Sequence, residues 1–545
     1  MNILTHSTKS TGNTKQLLDG SRETQAWRIV LLMLLALYCF AFTAINFRAL
    51  TEYMDNDIYA DTLVAKYMWD QKSLFPEGWV FGNQYYVIAT PVLSALFYGL
   101  TGSMNTAMAC ATTAMTIAIL VALYWLLRPF GDKIFAVAGL TALVSSIITV
   151  DLGAREEAQL LFVLASYYGC YVLSLLVVWG DYVHSIFFEK KRINFPLLCG
   201  LLFSFATGMQ SIRQTCVMIA PLLVFECLRV LTVLYTHKKV DWRITARVAA
   251  VTAANLVGVF FIRLLHIPAV QIYGDLSFVH LGELPERLIQ IVKAGTKITG
   301  LWYVKYYAAQ DGLLALFILI FSLLSIAAVL TACWRTAMRL YRKNVGGMEV
   351  LICLCVLSIA AVCASMLLFE ISVRSIYLFV WYLLVTFSVV SLLPAENLIR
   401  KRLVLILLCA LSTVNFYFSY KDSLQCAFNP DFKKNPPYYV DIANELESRE
   451  IEILYGPAVI TCDICGLTDG KVISSPWWRT PFEALQYIAP QDLHDPEDNE
   501  RAAYLLTDAQ LEDARRLASE KGAELTLIEK FDTMGLYSSS VQLMH

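Results

Sequence analysis

The chain has 545 residues, of which 57% are hydrophobic and only 16% are charged, and its formal net charge is −2. Soluble globular proteins carry about 25% charged residues, so this composition excludes an ordinary soluble protein. There is no basic stripe with interleaved aromatic residues, which argues against nucleic acid as a partner. Apolar runs of about 20 residues recur, and a helix of that length crosses a hydrocarbon core about 30 Å thick.

Eleven apolar runs predict transmembrane helices, because backbone groups in lipid must satisfy their own hydrogen bonds. The runs lie at 27–49, 104–127, 133–151, 159–179, 195–211, 214–233, 245–265, 311–333, 348–369, 375–393 and 402–420. The first run is longer than a signal-peptide core and no small-residue cleavage pattern follows it. It therefore predicts an uncleaved signal anchor behind a tail at 1–26, and the predicted membrane domain spans 27–420.

The basic residues predict the orientation of these helices. One set of loops carries clustered lysine and arginine, whereas the opposite short loops carry single arginines, namely Arg155, Arg213 and Arg374. Loops rich in basic residues stay in the cytoplasm. The pattern predicts a multi-pass protein of the cytoplasmic membrane, with a cytoplasmic N-terminus and with both the 50–103 loop and the C-terminal domain outside.

The first outer loop, at 50–103, is predicted to carry two further helices. A helical stretch at 61–71 comes first, and an apolar piece at 86–100, opened by Pro91, follows it. About 15 residues are too few to cross the membrane, so the second piece predicts an interfacial or re-entrant helix.

The composition changes after residue 420 and predicts a small soluble α/β domain of βαβ type at 421–545. Helices are expected at 439–449 and 509–521, and β-type runs at 451–455, 458–461, 502–506 and 524–529. Cys462 and Cys465 have C-x-x-C spacing, but a zinc site needs a second pair. A disulfide in an oxidising exterior and two unpaired thiols both remain open. No P-loop and no G-x-G-x-x-G sequence occurs, which argues against an ATP-driven pump and a soluble nucleotide-sugar enzyme.

The predicted outer loops collect acids and arginines, and such residues at a membrane boundary often mark function. The set consists of Asp55, Asp57, Asp151, Arg155, Glu156, Glu157, Arg213, Glu370 and Arg374. Substitution at a sugar carbon needs a carboxylate to take a proton from the acceptor and cations to hold a departing phosphate. The alternative interpretation is that these are ordinary solvated loop charges.

Three short patterns in these loops resemble motifs of one family. Asp55-Asn56-Asp57-Ile58-Tyr59 is similar to D-E-x-x-Y, Ala154-Arg155-Glu156-Glu157 to A-R-x-D, and Arg374-Ser375-Ile376-Tyr377 to an R-Y pattern. The family is the GT-C superfamily of polytopic glycosyltransferases, which includes protein O-mannosyltransferases and lipid A aminoarabinose transferases. Two departures stand out, since Asn56 replaces a common glutamate and two residues separate Arg374 from Tyr377.

The resemblance implies an inverting glycosyltransferase that moves a sugar from a polyprenyl-phosphate donor to a glycan, lipid or protein acceptor at the outer membrane face. It implies a base at Asp55 or Asp57, an orienting acid at Glu157, and substrate-binding residues at Tyr59, Arg155, Glu156, Arg213, Arg374 and Tyr377. Arg213 and Arg374 would meet the donor phosphate. Members of the family differ in metal use, so a divalent ion stays open and no metal ligand is assigned. The alternatives are a lipid-linked glycan flippase or other transporter, and an O-antigen polymerase or ligase.

Overall fold

The membrane part of the protein is a helical bundle. The computed structural model describes residues 14–131, 133–146, 168–188, 193–236, 239–270, 277–393 and 397–545. In chain order its helices are α1 (Thr14–Arg48), α2 (Asn56–Asp70), α3 (Thr90–Thr101), α4 (Met104–Leu127), α5 (Lys133–Ser146), α6 (Gly169–Phe187), α7 (Phe195–Gln210), α8 (Ala220–Tyr235), α9 (Trp242–Leu264), α10 (Leu284–Ile298), α11 (Leu301–Tyr307), α12 (Gly312–Tyr341), α13 (Gly347–Leu368), α14 (Val380–Ser391) and α15 (Leu398–Phe428).

Each of the eleven apolar runs coincides with one of these helices, at least over its described residues. Eight helices in the described ranges are long and apolar enough to cross a membrane alone, α8 together with the helical turn Thr215–Ile219 that precedes it. The other three, α5, α7 and α14, have 14, 16 and 12 residues. The predicted polytopic helical architecture is thus confirmed, whereas the count of eleven spans stays a prediction.

Helices α7 and α9 pack with their backbones in direct contact. A Cβ atom at Gly208 would lie 2.1 Å from the carbonyl oxygen of Asn255, and one at Gly258 would lie 2.1 Å from that of Phe205. The side-chain amide of Asn255 donates to the carbonyl oxygen of Ser204 across the interface at 3.0 Å. Small residues and interhelical hydrogen bonds are what hold helices together in lipid. This packing fixes the end of α7, from which the 211–214 turn begins.

The loop at 50–103, which is predicted to lie outside and which we call the first outer loop, folds into α2 and α3, and α2 begins earlier than expected. It starts at Asn56 and not at residue 61, because the Asp55 side chain caps it by accepting a hydrogen bond from the Ile58 N–H at 2.8 Å. Helix α3 has Pro91 in its first turn and 12 residues, too few to span a membrane. The Asp55–Tyr59 motif therefore lies at a helix N-terminus, where carboxylates are favoured.

The C-terminal domain, which follows α15 and which we call the soluble domain after its predicted character, is an α/β fold. Its elements are α16 (Tyr438–Ser448), β1 (Ile453–Pro457), α17 (Ala458–Leu467), β2 (Ile473–Trp477), β3 (Ala502–Thr507), α18 (Leu511–Glu520), β4 (Leu525–Phe531) and β5 (Met534–Ser539). The strand order is β2-β1-β3-β5-β4, with β1 parallel to β2 and β3. The unit β1-α17-β2 confirms the predicted βαβ type.

Parts of the soluble domain differ from the sequence prediction. The run at 458–461 was expected to be β-type but forms the first turn of α17, because a short apolar run fits a buried helix as well as a strand. Strands β2 and β5 were not predicted at all. Cys462 and Cys465 are both buried free thiols on α17, which is one of the two alternatives that the sequence left open.

The soluble domain packs directly on the first outer loop and on the start of α4. Backbone bonds join Ile488 N–H to the Val80 carbonyl and Gln491 N–H to the Gly78 carbonyl, both at 2.8 Å. The Asn105 side chain donates to the Gly466 carbonyl, also at 2.8 Å. One hydrophobic core runs from the membrane helices into one face of the sheet, whose other face packs on α18. The domain is thus held rigidly over the loop that carries Asp55 and Asp57.

Candidate active site

Asp55 and Asp57 stand at the N-terminus of α2 in a recess that is open to solvent. Both side chains are solvent-exposed. The surrounding protein nevertheless desolvates them, and this is the main cause that raises both pKa values above their ordinary range. A carboxylate that projects into solvent keeps its full hydration, so an exposed carboxylate that is still desolvated lies in a concave surface.

The two acids differ in their electrostatic surroundings. Desolvation and the negative charge of Asp57 raise the pKa of Asp55 to about 6, although the Ile58 N–H opposes this rise. Desolvation also raises the pKa of Asp57, but the positive charge of Arg374 opposes it. A base with a pKa near the working pH takes up and releases a proton most effectively. Asp55 therefore fits the role of general base better than Asp57, which fits a role beside the cation.

Arg374 and Tyr377 reach this recess from the loop between α13 and α14. Arg374 precedes a single 3-10 turn, Ser375–Leu378, that contains Tyr377. The Tyr377 hydroxyl lies 3.1 Å from the Ser372 hydroxyl. Arg374 is close enough to Asp57 for its charge to act on the carboxylate. The loop after α13 and the start of α2 thus meet at one end of the bundle.

Arg213 joins the same group from the turn between α7 and α8. Its guanidinium lies 5.0 Å from the centre of the Tyr377 ring, which is cation–π distance. The Tyr168 hydroxyl, at 3.5 Å, accepts from the Arg213 side chain. We call Asp55, Asp57, Arg213, Arg374 and Tyr377 the acid–arginine cluster. Three segments that are far apart in sequence build it.

The first outer loop fastens the turn that carries Arg213. The Tyr85 N–H donates to the carbonyl oxygen of Gln210 at 3.0 Å, and the Val87 and Ile88 N–H groups donate to its side-chain oxygen at 3.4 and 3.2 Å. A polar turn inside an apolar stretch needs such partners, because unpaired backbone groups near lipid are costly. The sequence predicted two helices around this turn, and the helices Phe195–Gln210 and Ala220–Tyr235 confirm that division.

Tyr59 does not lie with the acid–arginine cluster. Its ring is buried, with 2% exposure, and its hydroxyl accepts a hydrogen bond from the Ser474 N–H at 2.9 Å. It therefore joins α2 to strand β2 of the soluble domain. Arg155, Glu156 and Glu157 lie outside the described residues.

The soluble domain contributes an acid that the sequence prediction missed. Asp463 lies on α17, next to Cys462, whose thiol donates to the Asn56 side-chain oxygen at 3.4 Å. The buried Oδ1 atom of Asp463 has no hydrogen-bond partner among the described residues. Desolvation first, and then the negative charge of Asp55, raise the pKa of Asp463 to about 8. Asp463 lies inside the C-x-x-C pattern, where only the two cysteines were considered as candidate site residues.

An open cavity of about 340 Å³ lies beside Arg374. It is lined by Glu283, Glu286, Arg287, Gln290, Glu370, Ile371, Ser372 and Val373. Ser372 contacts Tyr377, so this cavity borders the acid–arginine cluster. Within the described ranges, no group of three or more histidine, cysteine, aspartate or glutamate side chains is arranged to hold a metal ion.

Comparisons with known proteins identify the fold. No family model matches the chain, and no curated protein matches it significantly. Among the solved structures, a crystal structure of ArnT from Cupriavidus metallidurans bound to undecaprenyl phosphate matches over 94% of this chain and 99% of that chain. The two chains are 12% identical and their TM-score is 0.50. The chain therefore has the polytopic helical fold of this ArnT structure.

Proposed function

We propose that the protein is an inverting GT-C glycosyltransferase that moves a sugar from a polyprenyl-phosphate donor to an acceptor at the outer face of the cytoplasmic membrane. The observation that carries this proposal is the acid–arginine cluster, which combines a desolvated carboxylate pair with two guanidinium groups. The ArnT fold supports it, since the matching ArnT structure is bound to undecaprenyl phosphate.

The proposed reaction is a single displacement. Asp55 takes the proton of the acceptor hydroxyl or amine, whose oxygen or nitrogen then forms a bond to the anomeric carbon. The bond from that carbon to the phosphate oxygen breaks, and its electron pair leaves with the polyprenyl phosphate. Attack from the face opposite the phosphate inverts the configuration. The leaving group is already a stable anion, so the reaction needs cations more than a strong acid.

Arg213 and Arg374 would bind the phosphate of the donor. Guanidinium groups offer planar pairs of N–H donors that match phosphate oxygens. The Tyr377 ring holds the Arg213 guanidinium by stacking, so this cation is oriented before the donor arrives. Asp57 is close enough to Arg374 for the two charges to interact, and it would hold that side chain in place. Arg155, Glu156 and Glu157 stay predicted members of this site, with Glu157 orienting the acceptor or the base.

Two single variants test the base. Asp55→Asn and Asp57→Asn each remove one charge, and Asp70→Asn is a matched control, since Asp70 lies exposed at the other end of α2 and pairs with Lys66. We would follow release of labelled sugar from a polyprenyl-phosphate donor in proteoliposomes. General base catalysis contributes about 10²- to 10⁴-fold, so we expect a loss of that order in Asp55→Asn with unchanged donor binding.

Other outcomes of this experiment would reject the proposal. Full turnover in both variants would leave the reaction without its base. Movement of an intact lipid-linked glycan across the bilayer, with no sugar released by the wild type, would identify a flippase. Assembly of long glycan chains from lipid-linked repeats would identify a polymerase or ligase.

A further inference from the structure

Asp463 of the soluble domain faces the N-terminus of α2 through a tight helix contact. Cys462, its neighbour, contacts Asn56, which lies between Asp55 and Asp57. A Cβ atom at Gly466, one turn further along α17, would lie 2.9 Å from Met54. Residues on both sides of Asp463 are therefore packed against residues on both sides of Asp55. This contact is independent of any electrostatic argument.

Two buried polar atoms at this contact have no hydrogen-bond partner among the described residues. One is Oδ1 of Asp463 and the other is the side-chain nitrogen of Asn56, whose residue is only 8% exposed. An unpaired buried polar group is costly, so proteins rarely keep one without a use. An ionised Asp463 would be still more costly than a neutral one, because burial penalises the charged form most.

We propose that Asp463 is a positioning residue of the acid–arginine cluster, through which the soluble domain sets the net charge beside Asp55 and thereby the binding of an anionic lipid-phosphate donor. The inference rests on the proposed function and extends it, because it gives the soluble domain a direct part in the reaction. With Asp463 neutral, Asp55 carries the charge that the base needs. With Asp463 ionised, a second negative charge stands beside Asp55 and opposes the donor phosphate.

The surroundings of Asp463 support this assignment. The groups that face it are Asp55 on α2, Glu52 in the turn after α1, Lys434 before α16, and Tyr439 on α16. Burial is the main cause that raises the pKa of Tyr439 to about 12, so Tyr439 stays neutral at working pH. The pKa of Asp55 is about 6 and that of Asp463 about 8. Between these values Asp55 is ionised while Asp463 is neutral.

The Lys434 segment is built into the same contact. The N–H groups of Lys434 and Asn435 donate to the Glu52 carboxylate at 2.9 and 3.1 Å, and the Lys434 ammonium lies 4.0 Å from the centre of the Tyr53 ring. The chain that enters the soluble domain is thus bound to the turn just before Asp55. This link and the packing of α17 together hold Asp463 close to Asp55.

The pH dependence of sugar transfer tests the proposal. Acids lose their protons as pH rises. The population of the active form therefore increases around pH 6, where Asp55 ionises, and decreases around pH 8, where Asp463 ionises. At pH 9, one unit above the pKa of Asp463, about one molecule in ten keeps it neutral, and wild-type kcat/KM should be about tenfold below its value at pH 7. In Asp463→Asn this decline should disappear. In Asp463→Glu, which keeps a titrating carboxyl, it should persist.

A control variant and a second measurement complete the test. Asp513→Asn alters an exposed acid of α18 and should follow the wild type. Infrared difference spectra of the wild type between pH 7 and 9 should show the loss of a protonated-carboxyl band that Asp463→Asn lacks. A wild-type spectrum without that band, or an Asp463→Asn profile that still declines above pH 8, would overturn the proposal.

The failure of the proposed function would look different. In that case the wild type would release no sugar from any polyprenyl-phosphate donor at any pH. The infrared band would still report on Asp463, and binding of undecaprenyl phosphate to the wild type at pH 7 and pH 9 would still test the charge control. Affinity that is equal at both pH values would reject the inference about Asp463 alone.

Discussion

Replacing Tyr59 by phenylalanine distinguishes the role that the sequence predicts for this residue from the role that the structure assigns. The sequence motif predicts a substrate contact. In the structure the Tyr59 hydroxyl instead accepts from the Ser474 N–H at 2.9 Å and lies beside the Cys465 thiol. Ser474 lies on β2, the edge strand of the sheet, so this N–H has no strand partner on that side. Tyr59→Phe would remove one hydroxyl and leave the ring in place.

The expected loss follows from the burial of this hydrogen bond. A buried donor that loses its partner costs about 1–3 kcal/mol, because the N–H of Ser474 then lies away from water with nothing to accept it. That loss raises the equilibrium for opening β2 away from α2 roughly fivefold to more than a hundredfold. Hydrogen exchange of the 472–477 segment, followed by mass spectrometry in detergent, measures this opening directly. Donor binding should change little.

Tyr417→Phe is the matched control, because Tyr417 lies on α15 with 59% exposure and removal of its hydroxyl should leave exchange unchanged. The reasoning would be refuted if Tyr59→Phe exchanged like the wild type at 472–477 and yet lost affinity for undecaprenyl phosphate. Tyr59 would then be a substrate contact, as the motif predicts.

Two further predictions concern the helix packing and the phosphate site. Gly208→Ala places a methyl group 2.1 Å from a carbonyl oxygen of α9, so we expect about 1–3 kcal/mol of destabilisation and a lower melting temperature. The control is Gly200→Ala on the same helix, whose methyl group meets only a Val178 carbon at 4.0 Å and which should melt like the wild type. Equal melting of both variants would contradict the close packing. Arg213→Lys keeps the cation but loses the guanidinium contact with the Tyr377 ring, so we expect about fivefold weaker binding of undecaprenyl phosphate. Thermophoresis measures this affinity, and the control Arg479→Lys, at an exposed position, should bind like the wild type. Unchanged affinity in Arg213→Lys would remove this residue from the donor site.

The membrane architecture could be predicted from the sequence because its cause is local. A run of apolar residues is stable in lipid only as a helix, whatever the rest of the chain does. The polar turn around Arg213 was predictable for the same reason, since a guanidinium and two glutamines cannot stay inside an apolar helix facing lipid. What local pattern could not give was the length of α7, which ends before the extended Ser211, and of α14, which begins only after the 3-10 turn Ser375–Leu378.

The packing of Tyr59 against β2 could not be predicted because the start of α2 was misplaced. With the helix expected from residue 61, Asp57 and Tyr59 belonged to a loop and had no defined faces. The Asp55 cap moves the start of the helix to Asn56. Residues two positions apart on a helix are rotated by about 200° around its axis, so Asp57 and Tyr59 point to nearly opposite sides. One side opens to Arg374 and the other packs on β2. A single N-cap thus decides which residue of the motif can meet a substrate.

The position of Asp463 beside Asp55 could not be predicted from local sequence patterns. The contact between Cys462 and Asn56 joins residues 406 positions apart, and no spacing rule connects them. The C-x-x-C pattern left a disulfide and two unpaired thiols open. Both thiols are buried and free, and α17 uses its small side chains to pack closely on the first outer loop. Close packing is what brings the carboxyl group between the two cysteines up to Asp55. A soluble domain that supplies a carboxyl group at that position is part of the site that it covers, and its removal should change the charge at the base as well as the access to it.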